Sequence, residues 1–326
     1  MLRAVITDEL GPPSNYRLAP HDPGAPGPGQ VRIAIRAAGV SFVDVLTAAG
    51  KYQVKPPLPF IPGSECAGVI EALGEGVTGL AVGQPVVASN WGGLFADAAL
   101  VAARSVRPAP MGLSFAEAAL FPVSAYTARH ALIERGHLQP GETLLVLGAG
   151  GATGLAAVQL GHHLGARVIA SASSEDKRAM ALANGADAAI DARADNWREL
   201  VREANNGKPV DVVFDPVGGA VTEPAFRSLA WNGRHLVVGF TGGIASFRTN
   251  LALLKGASLI GVDLRQYGVN QPEAAEANMR ESFKLAELRA IRPVIARSYS
   301  LDRFAEAMTE AEAGRTAGRI VLEMTQ

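Results

Sequence analysis

At 326 residues the chain has room for two domains, each with a substantial core. Lys and Arg number 30 against 31 Asp and Glu, so charge gives no pull toward nucleic acid or an anionic membrane. The single cysteine, Cys66, excludes an intrachain disulfide and a cysteine-based zinc cluster.

No run approaches the ~18 consecutive apolar residues of a membrane-spanning helix. The N-terminus turns acidic at Asp8 and Glu9 before a secretory core could form, so a cytoplasmic enzyme is the expectation. Residues 1 to about 120 hold short β-type runs: Val31–Arg36, which alternates apolar and polar, Ala67–Leu73 and Gln84–Ser89. The Pro/Gly stretch Pro20–Gly29 reads as a long turn between strands, since neither flank is low-complexity.

From about 121 to 262 the rhythm becomes strand–helix alternation. Strands are expected at Thr143–Leu147, Arg167–Ser171, Ala188–Ile190, Val210–Phe214, His235–Val238 and Ser258–Val262, with helices over 152–164, 175–184, 195–205 and 221–230. Such βα repeats predict a doubly wound parallel sheet that binds its ligand outside the C-terminal strand ends. The tail reads as a helix at Pro272–Leu288, a strand at Pro293–Ser298, a helix at Leu301–Ala313 and a strand at Gly318–Glu323. It has no glycine site of its own and is expected to complete the first domain, giving boundaries of 1–120 with 263–326, and 121–262.

The run Leu144–Leu160 passes from an apolar strand through a glycine turn into a helix of small residues. Thr153 spoils a G-x-G-x-x-G pattern; the spacing that holds is G-x-x-G-x-x-G at Gly148, Gly151 and Gly154. The first permits the turn, the second close approach of a pyrophosphate, the third close helix–strand packing. With Ala152 and Thr153 at the helix start, this is a dinucleotide-binding turn. An NAD site places an acid at the end of the second strand, ~20 residues on. Here the strand runs into Ser171-Ala-Ser173-Ser174, and Glu175 and Asp176 fall in the next helix's first turn, where acids suit the dipole. Small hydroxyls with Lys177 suit a 2′-phosphate, which favours NADPH over NADH; a solvated helix lysine is the competing reading.

With Gly39–Asp44, Gly50–Glu65, Gly148–Gln159, Asp215–Gly219, Val237–Phe240 and Asn250–Gly256, the whole chain resembles the medium-chain dehydrogenase/reductase superfamily. Within it the likeness is to the zinc-independent, zeta-crystallin-like quinone oxidoreductases. The resemblance implies an α/β protein: a GroES-like β-rich catalytic domain split around a doubly wound Rossmann domain, with the active site in the interdomain cleft. It also implies an NADPH-dependent homodimer, paired through the sixth strand of the nucleotide domain.

In the alcohol dehydrogenase branch the catalytic zinc is held by a Cys, a His before a Glu, and a second Cys. The matching places here are Ser41, Ser64 and a position near Val123, none a good zinc ligand, so no metal is expected. Without a Lewis acid, simple alcohol oxidation is poorly supported, whereas quinones and activated enones carry the incoming electron density by conjugation. The first donor candidate is Tyr52, in the Gly50-Lys-Tyr motif, where related enoyl thioester reductases use a tyrosine to deliver a proton or orient a carbonyl; simple packing is the alternative. Ser41 is the second, at a position where the family usually has Asn, and Asp44 reads as a buried hydrogen-bond acceptor. The resemblance places Thr127, Phe240, Thr241, Leu264 and Arg319 near the cofactor, Arg319 being equally readable as a surface arginine. It assigns no adenine stack, because Asp191-Ala192 replaces the family's tyrosine.

The expected activity is NADPH-dependent reduction of small-molecule quinones or enones. An enoyl or acryloyl thioester (CoA) reductase is the alternative, though no dense basic cluster marks a path for coenzyme A. A non-enzymatic NADPH-binding, RNA-binding or crystallin-like role comes from a different class, and near-zero charge without a basic–aromatic stripe argues against RNA.

Overall fold

The computed structural model describes residues 1–52 and 55–324, so positions 53 and 54 of the Gly50–Glu65 segment lie outside the described residues. Strands β1 (Arg3–Ile6), β2 (Arg17–Pro20), β3 (Gln30–Val40), β4 (Glu65–Leu73), β5 (Pro85–Ser89), β6 (Ala98–Ala102) and β7 (Val106–Pro108) come first. The parallel series follows: β8 (Thr143–Leu147), β9 (Arg167–Ala172), β10 (Ala188–Asp191), β11 (Val210–Asp215), β12 (Leu229–Val237) and β13 (Ser258–Gly261). Two more, β14 (Ile295–Ser300) and β15 (Arg319–Glu323), close the chain.

The chain divides into two compact units, residues 1–122 with 293–326, and residues 123–292. In the first, the main sheet of described strands runs β14-β15-β3-β4-β5-β7, with β6 also paired to β3. β3 is its longest strand because Val31, Ile33 and Ile35 alternate with polar neighbours and bury one face in a core shared with Ile70, Phe95, Tyr299, Phe304 and Leu322.

In the second unit the order is β10-β9-β8-β11-β12-β13, all parallel, with β8 at the centre. Every residue of β8 is buried, as expected for a strand covered on both faces; the edge strand β13 is largely exposed. Helices Ala152–His163 and Glu175–Ala183 follow β8 and β9.

Three differences from the sequence reading have physical causes. The return to the first unit comes at 293 rather than 263. The segment between is tied to the second unit: Tyr267 stacks on His130 with ring centroids 3.9 Å apart, Arg129 donates to Asn278, and the Gln159 side chain pairs with both backbone groups of Arg292. The helix expected over 221–230 stops at Arg227, because Leu229 already pairs with Val210 as β12 begins. A short helix at Phe42–Ala48 was not expected; Ser41 and Asp44 start it with a reciprocal capping box.

Candidate active site

In the second unit, Gly148 follows β8 with φ +58°, a left-handed conformation that favours glycine. The turn is pinned to β9 by the Ala149 N–H, which donates to the Ser171 carbonyl at 3.1 Å. Gly151 caps helix Ala152–His163 without a side-chain hydrogen bond, and no acid occupies the first turn. The first-turn amides of Ala152, Thr153 and Gly154 are therefore capped neither by a side chain at Gly151 nor by an acid of their own turn, the arrangement in which a helix start can receive an anion. A Cβ on Gly154 would lie 2.3 Å from the Gly148 carbonyl oxygen, so helix and turn meet there without room for a side chain. A Cβ on Gly151 would stand 3.3 Å from the same oxygen.

The contact that sequence reading missed is at Gly150. A Cβ there would fall 2.6 Å from both Cβ and Cγ of Lys177 and 2.8 Å from its Cδ. The aliphatic stem of Lys177 thus lies across the glycine turn, and it is not a solvated helix lysine. Burial, then the nearby Arg193 charge, hold its pKa below the ordinary lysine value. Ser174 caps the Lys177 helix by accepting from the Lys177 amide, and Ser173 stands half-buried beside it.

Ser171 is corrected: it is 1% exposed and its hydroxyl accepts the Trp197 indole N–H at 2.9 Å, so it supports packing and not a ligand. Asp191 at the end of β10 is paired with Arg178. Its carboxylate also accepts the Arg193 amide at 2.9 Å, which forms the turn that brings Arg193 beside the tip of β9.

Beyond β12, Phe240 and Thr241 lie on an exposed loop, with Phe240 53% exposed. This loop is backed by the turn after β11: the Gly242 N–H donates to the Val217 carbonyl at 2.7 Å, and the Thr241 hydroxyl donates to the Pro216 carbonyl at 3.3 Å. Val217 also borders the glycine turn, since a Cβ on Gly148 would meet its Cγ2 at 3.0 Å. The structure therefore brings Phe240, Thr241 and the glycine turn together. Leu264 opens the helix Leu264–Asn270, whose cap Asp263 accepts from the amides of Arg265 and Gln266. Thr127 is buried and its hydroxyl donates to the Val123 carbonyl at 2.7 Å, so it can offer a ligand only its lone pairs.

In the first unit, the Ser41 hydroxyl donates to Asp44 Oδ2 at 2.6 Å and accepts from the Asp44 amide at 3.1 Å. Ser64 also hydrogen-bonds to Asp44, which burial pushes above the ordinary carboxyl range despite those bonds and the Arg319 charge. The two serines that stand where zinc ligands would be are thus joined through one carboxyl group. Among the described residues no group of three His, Cys, Asp or Glu side chains is placed to hold a metal ion.

Arg319 is not a surface arginine: it is 9% exposed and its guanidinium pairs with buried Glu65, so its charge is already engaged. The pairing of Arg319 with Glu65 was not foreseen, because two residues separated by 254 positions leave no local signal.

Tyr52 sits in a turn that closes the helix begun at Ser41; the amides of Lys51 and Tyr52 both donate to the Leu46 carbonyl, at 2.9 and 3.2 Å. Its ring lies against Trp91, centroids 6.3 Å apart. Ser41 and Tyr52 are therefore at opposite ends of one seven-residue helix, which is about 10 Å long at 1.5 Å per residue.

Residues 27–124 match the alcohol dehydrogenase GroES-like domain family, and residues 152–281 the zinc-binding dehydrogenase family. Over 99% of its length the chain is 34% identical to the quinone oxidoreductase-like protein 2 homolog of Nematostella vectensis, covering 89% of that protein. It is 31% identical to human quinone oxidoreductase, covering 99% of this chain and 98% of the other. The solved structure of mycobacterial Rv1454c complexed with NADPH superposes with a TM-score of 0.88 at 29% identity, covering 99% of this chain and 100% of that one. A Rossmann unit with a glycine turn, a GroES-like unit and full-length relatives above 30% identity agree: the chain belongs to the quinone oxidoreductase family of the medium-chain dehydrogenase/reductase superfamily.

Proposed function

We propose that this protein is an NADPH-dependent reductase that delivers hydride to small quinones or activated enones without zinc. The observation that carries the cofactor choice is the Lys177 stem lying on Gly150, which sets a cationic residue beside the glycine turn, whose own helix has no acid in its first turn. A 2′-phosphate is the group that such a cation and the half-buried Ser173 would hold. The structural neighbour solved with NADPH supports the same cofactor. Zinc independence rests on the donor set: hydroxyls of Ser41 and Ser64 bound to Asp44 replace thiolate and imidazole.

When bound, NADPH supplies the hydride from its reduced nicotinamide. The chain's own groups hold and orient. The amides of Ala152, Thr153 and Gly154 receive the pyrophosphate, and Lys177 the 2′-phosphate. Phe240 and Thr241, with Thr127 and Leu264, would line the nicotinamide end. The Tyr52 hydroxyl donates a hydrogen bond to the acceptor carbonyl, and Ser41 maintains the helix that carries it. A proton taken from solvent at the acceptor oxygen would then balance hydride addition.

We assign the exposed edge strand β13, where Leu259 is 44% exposed, to a homodimer contact. No described helix is long and apolar enough to cross a membrane.

Oxidation of NADPH against 1,4-benzoquinone, 9,10-phenanthrenequinone and crotonyl-CoA separates the readings. Turnover of the quinones is expected; turnover of crotonyl-CoA alone would favour the thioester reductase. Binding of NADPH with no turnover of any acceptor would leave a binding protein. Tyr52→Phe is expected to lower kcat about two- to tenfold, the worth of one hydrogen bond, while KM for NADPH stays put. An unchanged kcat on every acceptor removes Tyr52 from the chemistry.

A further inference from the structure

Asp215, at the end of β11, is 1% exposed and collects four hydrogen bonds. Its Oδ1 accepts the amides of Val217 and Gly218 at 2.9 and 2.8 Å. Its Oδ2 accepts the Thr222 hydroxyl at 2.8 Å and lies 2.9 Å from His235 Nε2 on the neighbouring strand β12. His235 is wholly buried, and its Nδ1 has no hydrogen-bond partner among the described residues. A carboxylate only accepts, so the Nε2–H tautomer satisfies the contact.

The turn held this way is the one that backs the Phe240 loop. Gly218 and Gly219 have φ of +70° and +61°. Added Cβ atoms there would fall 2.5 Å from the Gly243 carbonyl oxygen and 2.3 Å from that of Gly242. The two loops are laced by Val238 N–H to Asp215 O at 2.9 Å and Gly242 N–H to Val217 O at 2.7 Å. A chain of contacts thus leads from His235 through Asp215 and the Val217 and Gly218 amides to the loop bearing Phe240 and Thr241. None of it involves the Lys177 end of the turn.

We propose that His235 and Asp215 are a positioning pair which fixes the nicotinamide half of the site, while the adenosine half is set by Lys177 at the Gly150 end of the turn, which the pair does not touch. This rests on the NADPH reading above. Burial works against the Asp215 charge, but the bonds from His235, Gly218 and Thr222 outweigh it and keep its pKa below the ordinary value.

The test compares NADPH with 2′,5′-ADP, which carries the adenosine end alone. His235→Ala is expected to weaken NADPH binding and to lower kcat, each about tenfold, with 2′,5′-ADP affinity within about twofold of wild type. His235→Gln, which returns an N–H near the place of Nε2, is expected to recover most of the loss, and Thr222→Val to show a smaller version of it. In the nucleotide-free protein, hydrogen exchange at the Val217, Gly218 and Gly242 amides is expected to speed up in His235→Ala. Wild-type kcat, NADPH affinity and exchange in these variants would overturn the pair, as would equal losses of NADPH and 2′,5′-ADP. Failure of the wild-type protein to bind either nucleotide would instead overturn the NADPH reading, and the exchange result would then decide the pair alone.

Discussion

Gly154→Ala is expected to weaken NADPH binding about ten- to hundredfold, as overpacking of about 1–3 kcal/mol implies. The added Cβ would lie 2.3 Å from the Gly148 carbonyl oxygen, 2.9 Å from its carbon and 3.0 Å from the Ala149 Cα. All three are backbone atoms, so no side-chain rotation relieves the clash. Either the helix Ala152–His163 moves off the turn or Gly148 leaves its left-handed conformation, and both displace the first-turn amides from the phosphate. Gly268→Ala, in a helix where an added Cβ meets nothing within 4 Å, is the matched control and should leave binding unchanged. Isothermal titration of both variants checks the difference. Wild-type affinity in Gly154→Ala would mean that the close helix–turn contact does not shape the binding site.

Lys177→Met is expected to raise KM for NADPH about ten- to hundredfold while KM for NADH stays within about twofold. Hydrogen bonds to charged groups are worth about 1.5–3 kcal/mol, and NADH lacks the phosphate that would receive this one. Methionine retains an aliphatic stem over Gly150, so the substitution removes the charge with little loss of packing. The NADPH advantage should shrink with added salt. It should also fade at high pH sooner than for an ordinary lysine, because the lowered pKa brings deprotonation earlier. Parallel losses with both cofactors would show that Lys177 acts on the turn and not on the 2′-phosphate.

What could be read in the sequence was whatever local pattern carries. β8 has the bounds expected, because the apolar run Leu144–Leu147 ends at Gly148 and is preceded by the turn residues Pro140-Gly141. The order strand, glycine turn, helix was legible in the same way, and the lack of an acid at the tip of β9 singled out Lys177 as a candidate. Spatial partners were out of reach. Asp215 meets His235 because β11 and β12 pair in the register Val213 to His235, which no local spacing reveals. Arg319 finds Glu65 only once β15 pairs with β3 and β3 with β4. Ser171 looked like a ligand hydroxyl in the sequence and is occupied by Trp197. The Ser41–Asp44 capping box is a helix-opening Ser-x-x-Asp, but Phe42 and Val43 inside it have high strand propensity, which masks the signal.

The most direct test of the central claim is the kcat/KM of the wild-type protein with 1,4-benzoquinone, measured side by side with NADPH and NADH. Turnover with both cofactors is expected, with a ratio of at least about tenfold in favour of NADPH. A ratio at or below one, or no turnover of any quinone or enone by a protein that binds NADPH, would contradict it.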